Sequence, residues 1–218
     1  MKIFIIGIAG KIGSRLAQRL IARGDKVDGL FRRAEQNETL AAIGVRATQG
    51  DLATLSENAL AEVISGADVL VFAAGAGGKG GPEATTTIDG VGLTKSIAAA
   101  SRAGVRRFVL VSVFPDAWRD RRMPESFEHY MAVKRRAEAE LAEAPLDWVI
   151  LRPAALTDKP GTGHVSLSLA LIHTEISRDD VAETLAEITQ QFGMSRKILE
   201  LTSGGTSIPE AVSSVAKV

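Results

Sequence analysis

Short apolar runs alternate along the chain with longer stretches whose apolar residues recur every three or four positions. Ile3 to Ile6, Lys26 to Phe31, Val69 to Ala73, Arg107 to Ser112 and Trp148 to Leu151 have strand length and are rich in Val, Ile, Leu and Phe. Continuous runs of this kind suit strands buried on both faces, as a parallel sheet requires. Between the first two, Ile12, Leu16 and Leu20 share one face of a helix predicted over Ile12 to Ala22, with Gly24 as its stop. Helical periodicity also fits Leu55 to Ile64, Ala84 to Ala103 ending at Gly104, Phe127 to Glu143 ending before Pro145, and Asp179 to Phe192 ending at Gly193. Strand and helix in alternation imply right-handed βαβ crossovers and an open, doubly wound α/β sheet. Such sheets bind ligands beyond the carboxyl ends of their strands, at the point where the strand order reverses.

Length and composition narrow the classes. A chain of 218 residues is expected to form one domain over residues 1–218, stable without metal or disulfide because folding buries roughly 70% of the unfolded surface. The absence of cysteine excludes a thiolate nucleophile, a disulfide framework and any Cys-ligated metal. Lys and Arg total 26, as do Asp and Glu, so no whole-chain field draws in nucleic acid or an anionic membrane. The first residues stop at Gly7 without the apolar core and cleavage site of a signal peptide, and no run approaches the ~20 apolar residues of a membrane span. A cytoplasmic protein is expected, with neither nucleic acid nor membrane as partner. His129, His164 and His173 lack metal-ligand spacing, so no metal is expected.

Gly7-Ile8-Ala9-Gly10-Lys11-Ile12-Gly13 follows the first strand and opens the first helix. Gly7 permits the tight turn, Gly10 lets backbone N–H groups approach a pyrophosphate, Gly13 lets the helix pack close to the sheet, and the helix N-terminus favours the negative charge. The spacing is GxxGxxG rather than GxGxxG. The second strand ends at Arg32-Arg33 with no acid at its tip, which favours a 2′-phosphate over a free 2′-hydroxyl and so NADP(H) over NAD(H), although NAD(H) is possible. The alternative for the arginines is a solvated polar loop. Asp51-Leu52 after the third strand covers an adenine ring or, for Asp51, caps the helix that follows. Ala73-Ala74-Gly75 after the fourth strand allows close approach of a cofactor. The glycines from Gly77 to Gly81 make Lys79 either a ligand contact or part of a flexible linker.

Ser112 ends the fifth strand, and Tyr130 and Lys134 lie four residues apart on one face of the next helix. A neighbouring ammonium is expected to lower the phenol's pKa, so that Ser112 holds a substrate carbonyl while Tyr130 delivers a proton. Residues 153–175 form a small substrate-side segment. The loop from Phe114 to Met123, with Trp118 and Arg119-Asp120-Arg121-Arg122, is the other wall, either stacking on a planar substrate or solvated. Asp179-Asp180 begins a helix as capping and dipole-complementing acids.

Taken in order, Gly7-x-x-Gly10-x-x-Gly13, Arg32-Arg33, Asp51-Leu52, Ala73-Ala74-Gly75, Gly78-Lys79-Gly80-Gly81-Pro82-Glu83 with Ile88-Asp89, Arg106-Arg107-Phe108-Val109-Leu110-Val111-Ser112, His129-Tyr130-x-x-x-Lys134, Leu151-Arg152-Pro153 and Ile176-Ser177-Arg178-Asp179-Asp180-Val181-Ala182 resemble the short-chain dehydrogenase/reductases, specifically their atypical, NmrA-like branch. The resemblance implies a three-layer Rossmann fold with a mainly parallel sheet of order 3-2-1-4-5-6 plus an edge strand. It implies a dinucleotide lined by Gly7, Ala9, Gly10, Lys11, Ile12, Gly13, Arg32, Arg33, Asp51, Leu52, Ala73, Ala74, Gly75, Val111, Lys134, Arg152 and Pro153, with Lys134 on the nicotinamide ribose and Ser112, Tyr130 and Lys134 as the catalytic set. The fifth strand ends in Ser112-Val113 where the family often has Ser-Ser or Ser-Thr. The expected function is NADP(H)-dependent reduction of a small carbonyl, flavin-like or quinone-like substrate by a monomer or homodimer. The alternatives are a catalytically inactive NAD(P) sensor and an NAD-dependent sugar epimerase or dehydratase, the last disfavoured by the short 153–175 segment and the arginine pair.

Overall fold

In a computed structural model of the chain, residues 1–114, 117–118 and 122–217 are described. The elements run β1 (Lys2–Ile6), α1 (Lys11–Ala22), β2 (Lys26–Phe31), α2 (Gln36–Ala42), β3 (Arg46–Gln49), α3 (Glu57–Ile64), β4 (Val69–Phe72), α4 (Gly81–Thr85), a π-helical stretch (Thr86–Val91), α5 (Gly92–Ala103), β5 (Arg107–Val111), α6 (Glu125–Glu143) and β6 (Asp147–Pro153). They continue with β7 (Ala155–Thr157), β8 (His164–Ser168), β9 (Glu175–Ser177), α7 (Arg178–Gln190), β10 (Lys197–Ser203), β11 (Thr206–Ser207) and α8 (Ile208–Ala216).

The main sheet has the order β11-β8-β10-β6-β5-β4-β1-β2-β3, which contains the expected 3-2-1-4-5-6. From β3 to β10 every pairing is parallel, and β8 returns antiparallel on β10. The expected edge extension is thus β10 followed by β8 and the short β11. Residues 153–175 supply β8 to this sheet, and β7 pairs with β9 in a separate two-stranded parallel sheet.

Alternation along β1 builds both cores at once. Ile3 and Ile5 face a layer with Leu16 and Leu20 of α1, Val181 and Leu185 of α7, and Val212 of α8. Phe4 and Ile6 face Leu60 and Ile64 of α3, Leu93 of α5 and Leu141 of α6. Each of these fully buried side chains contributes about 1.5–3 kcal/mol of transfer free energy, which explains why the runs in the middle of the sheet are apolar without interruption. Among the described residues no helix is long and apolar enough to cross a membrane.

Two helices depart from the sequence expectation. The span Ala84 to Ala103 is not one α-helix, because Thr86–Val91 widens to a π-helix that turns Asp89 inward. The third helix begins at Glu57 and is capped by Ser56, whose Oγ accepts from Ala59 N–H at 3.1 Å. Asp51 therefore does not cap it. Its carboxylate accepts from Ala53 N–H at 2.9 Å and shapes the turn after β3.

Candidate functional site

The carboxyl ends of β1 and β4 meet at the glycine turn. Gly7 has φ +87°, and a Cβ there would lie 2.6 Å from the Ala74 nitrogen and 2.8 Å from the Ala73 carbonyl carbon. A side chain at Gly13 would sit 2.3 Å from the Gly7 oxygen and 2.9 Å from Ile8 Cα. Only glycine satisfies both positions, so the start of α1 is pressed against the end of β1. Gly10 caps α1 with no side-chain acceptor, and no acid lies in the helix's first turn. Its N–H donates to the Gly7 oxygen at 2.9 Å, while the first turn's remaining N–H groups and the helix dipole suit an anion. Ala9 and Ile12 are half-buried against the core beneath this turn. Lys11 is exposed, and its Nζ lies 2.6 Å from the Asp158 carboxylate just beyond β7. Lys11 and Arg178 (3.0 Å) together hold that carboxylate below its ordinary range, the hydrogen bond from Lys11 first.

At the end of β2, Arg33 Nε lies 3.0 Å from the exposed Glu35 carboxylate. Among the described residues no carboxylate pairs with Arg32, whose carbonyl accepts from the Gln49 amide at 3.4 Å. Leu52 is buried against Gly92, where a Cβ would approach its Cδ2 to 2.8 Å. Lys95, which sequence reasoning missed, fixes this turn by donating to the carbonyls of Leu52 at 2.9 Å and Leu55 at 2.5 Å. Lys79 is exposed in a turn among glycines.

The centre of the site lies over β4, β5 and β6. Lys134 is 3% exposed, donates to the Val111 carbonyl at 3.1 Å, and has Asp89 Oδ1 at 3.7 Å. Burial pulls its pKa down, against the opposing pull of Asp89 and Glu138. Asp89 also accepts from Ala76 N–H at 2.9 Å and lies so close to Gly75 that a Cβ there would be 3.0 Å from Oδ1. The π-helical stretch thus ties the turn after β4 to the lysine of α6. One turn on from Lys134, buried Glu138 receives both Nε (3.0 Å) and NH2 of Arg152. Arg152 NH1 lies 3.9 Å from Glu200 of β10, whose other oxygen accepts from Leu171 N–H at 2.6 Å. Pro153 is buried at the end of β6, in register with Leu201 of β10. Ser112 Oγ is buried beside Val111 and has no hydrogen-bond partner among the described residues.

Tyr130 and Lys134 share a face of α6, as expected, but the phenol's pKa moves the other way. Burial raises it, and the carboxylates of Asp89 and Glu138 raise it further. The ammonium expected to lower it faces Asp89, 3.7 Å away. Around Tyr130 the rings continue through Phe127 (6.4 Å), Trp118, His173 and Phe114. Of the basic run, Arg119, Asp120 and Arg121 lie outside the described residues, and Arg122 is exposed.

Asp179 and Asp180 lie in the first turn of α7, where they complement its dipole as the sequence suggested, but neither caps the helix. Ser177 caps α7 by accepting from Asp180 N–H at 2.9 Å, and Asp180 accepts from Thr162 and Gly163 N–H at 3.0 and 2.9 Å. Asp179 pairs with Arg15 of α1 at 2.8 Å.

The sequence family described as NAD(P)H-binding matches residues 7–191. The chain is 35% identical to the "Uncharacterized sugar epimerase YhfK" of Bacillus subtilis over 213 residues, which is 97% of this chain and 99% of that one. Its fold is similar to the "Putative NAD-dependent epimerase/dehydratase" of Bacillus halodurans, with TM-score 0.90, 31% identity, and 98% and 99% of the two chains covered. It is also similar to the oxidoreductase ylbE of Lactococcus lactis, with TM-score 0.86, 27% identity, and 100% and 98% covered.

Proposed function

The chain belongs to the NAD(P)H-binding family, among the atypical short-chain dehydrogenase/reductases, and on that premise we propose that it is an NADP(H)-dependent oxidoreductase that reduces a small carbonyl, flavin-like or quinone-like acceptor. The observation that carries this reading is the glycine cradle, where side chains at Gly7 and Gly13 are sterically excluded and the α1 N-terminus is left without a cap or an acid. A dinucleotide fits these residues. Gly7, Gly10 and Gly13 would hold its diphosphate, Ala73, Ala74 and Gly75 its riboses, and Arg32, with Arg33 beside it, a 2′-phosphate.

When bound, the nicotinamide supplies two-electron hydride chemistry. The chain's own groups position and protonate. Lys134 has one N–H on Val111 and one side toward Asp89, which leaves a third donor for a ribose hydroxyl. The orphaned Ser112 hydroxyl has a donor available for a substrate oxygen. Tyr130, held above its ordinary pKa by burial, stays protonated at neutral pH, so it has a proton to give and is the weaker acid for it. Arg152 holds the end of β6 through Glu138 and Glu200 and has little capacity left for a ligand.

The names of two relatives raise sugar epimerisation, but the arginine pair and the brief span between β6 and β8 favour the reductase. Side-by-side calorimetric titration with NADPH and NADH tests the cofactor. NADPH is expected to bind more tightly, and Arg32→Ala to weaken it by roughly 10- to 100-fold, the worth of one charge-assisted phosphate contact. Equal affinity for the two nucleotides would overturn the NADP(H) assignment, and no binding of either would overturn the function. Tyr130→Phe should abolish turnover while leaving nucleotide affinity intact.

A further inference from the structure

The chain has seven Phe, two Trp and one Tyr, and four of them join His173 in a single row above the carboxyl end of β5. Tyr130 and Phe127 have ring centres 6.4 Å apart, Phe127 and Trp118 5.6 Å, Trp118 and His173 4.9 Å, and His173 and Phe114 5.2 Å. Phe114 anchors the row in the core, while Trp118, Phe127, Tyr130 and His173 are half-buried and keep part of their ring surface open. Trp118 has φ +57°, an uncommon conformation for a bulky residue. Ile172, next to His173, is 85% exposed, which adds an apolar lip.

The cations in the floor of the site already have carboxylate partners. Asp89, Glu138 and Glu200 face Lys134 and Arg152, and both cations are engaged by these carboxylates. Burial also keeps the His173 imidazole below its ordinary pKa and therefore neutral at pH 7. Lys134 and Arg152 are thus taken up by carboxylates, and the row presents ring surface where a polyol needs hydrogen-bonding groups.

Resting on the oxidoreductase reading, we propose that the substrate is a planar conjugated ring system with no charge on the ring, a quinone or an isoalloxazine, stacked on the row that runs from Tyr130 to Phe114. Stacking between planar rings is favourable and tolerant of substituents. Reduction of a quinone then balances as one hydride from the reduced dinucleotide and one proton, delivered from Tyr130, with hydroquinone and oxidised dinucleotide as products.

Riboflavin tests the proposal, because its own emission is quenched on stacking and reports binding without turnover. Titration of riboflavin with NADP⁺-loaded protein should give saturable quenching, competed by menadione but not by UDP-glucose or butanal. Trp118→Leu and Phe127→Leu, each checked for an unchanged melting curve, should weaken it at least tenfold. Absence of quenching, displacement by UDP-glucose or butanal, or undiminished binding in both variants would overturn the substrate class. NADPH oxidation separates this inference from the one beneath it. Tight riboflavin binding with no oxidation of NADPH by riboflavin, menadione or butanal sinks the oxidoreductase reading and leaves the planar ligand. Oxidation by butanal with no riboflavin binding does the reverse.

Discussion

Tyr130 is the one tyrosine in the chain, so absorbance at the phenolate band titrates it without interference from any other phenol. Burial, with Asp89 and Glu138 nearby, raises its pKa, and the ionisation midpoint is expected clearly above the ordinary value of about 10. The sign for stability follows. The folded chain holds this proton more tightly than the unfolded chain, so the contribution is complete below pH about 10 and is lost as pH rises through the folded-state pKa. A midpoint at or below 10 would mean that Lys134 governs the phenol after all. Tyr130, Lys134 and Ser112 were legible in the sequence because their spacing follows a strand end and a helix face. Asp89 entered only within the family pattern and without a role, and Glu138 and Glu200 not at all, since each acquires meaning only from a cation or backbone group brought near by the fold. Lone acids on a helix or strand read as solvated, and only the buried partners Lys134 and Arg152 reveal otherwise.

The five strands marked by apolar runs all form, because central strands of a parallel sheet bury both faces and leave an unbroken apolar signature. β3 carries no such run, Arg46–Gln49 being a largely exposed edge. β8 and β10 alternate apolar with Ser, Thr and Glu, so the apolar-run criterion passed over them, and the short α2 and α8 went unread as well. The π-helical turn at Thr86–Val91 was invisible because its periodicity differs from an α-helix by a single residue. Contact between α1 and β1 makes the sharpest forecast among these elements. Gly13→Ala places a methyl 2.3 Å from the Gly7 oxygen, and overpacking of this kind costs about 1–3 kcal/mol or more. Denaturant unfolding should report that loss, and nucleotide titration should show affinity falling with it because the cradle itself is displaced. Gly24→Ala, which meets nothing within 4 Å, should cost only the backbone strain of its positive φ and leave nucleotide affinity unchanged.

Long-range polar contacts tie α7 both to the sheet and to α1. Arg107, fully buried on β5, lies 2.9 Å from Asp147 and donates to the carbonyls of Ile188 (3.2 Å), Gln191 (3.0 Å) and Met194, closing the end of α7 onto the sheet. Arg107→Met removes those donors from buried carbonyls. A cost of about 3 kcal/mol should lower the melting temperature by roughly 6–12 °C in a domain of this size, and an unchanged melting curve would show that water takes over those carbonyls. On the outer face, Arg15, Arg19 and Arg23 of α1 engage Asp179, Glu183 and Glu187 of α7 in a ladder of ion pairs. Arg15 and Asp179 are 164 positions apart, as are Arg19 and Glu183. During synthesis, then, α1 emerges long before the helix that covers it, and Leu16 and Leu20 remain uncovered on the α7 side until Val181 and Leu185 leave the ribosome. The glycine cradle, translated well before α7, is therefore among the last segments to gain its final support, and a nascent chain paused before α7 would present that apolar face to chaperones.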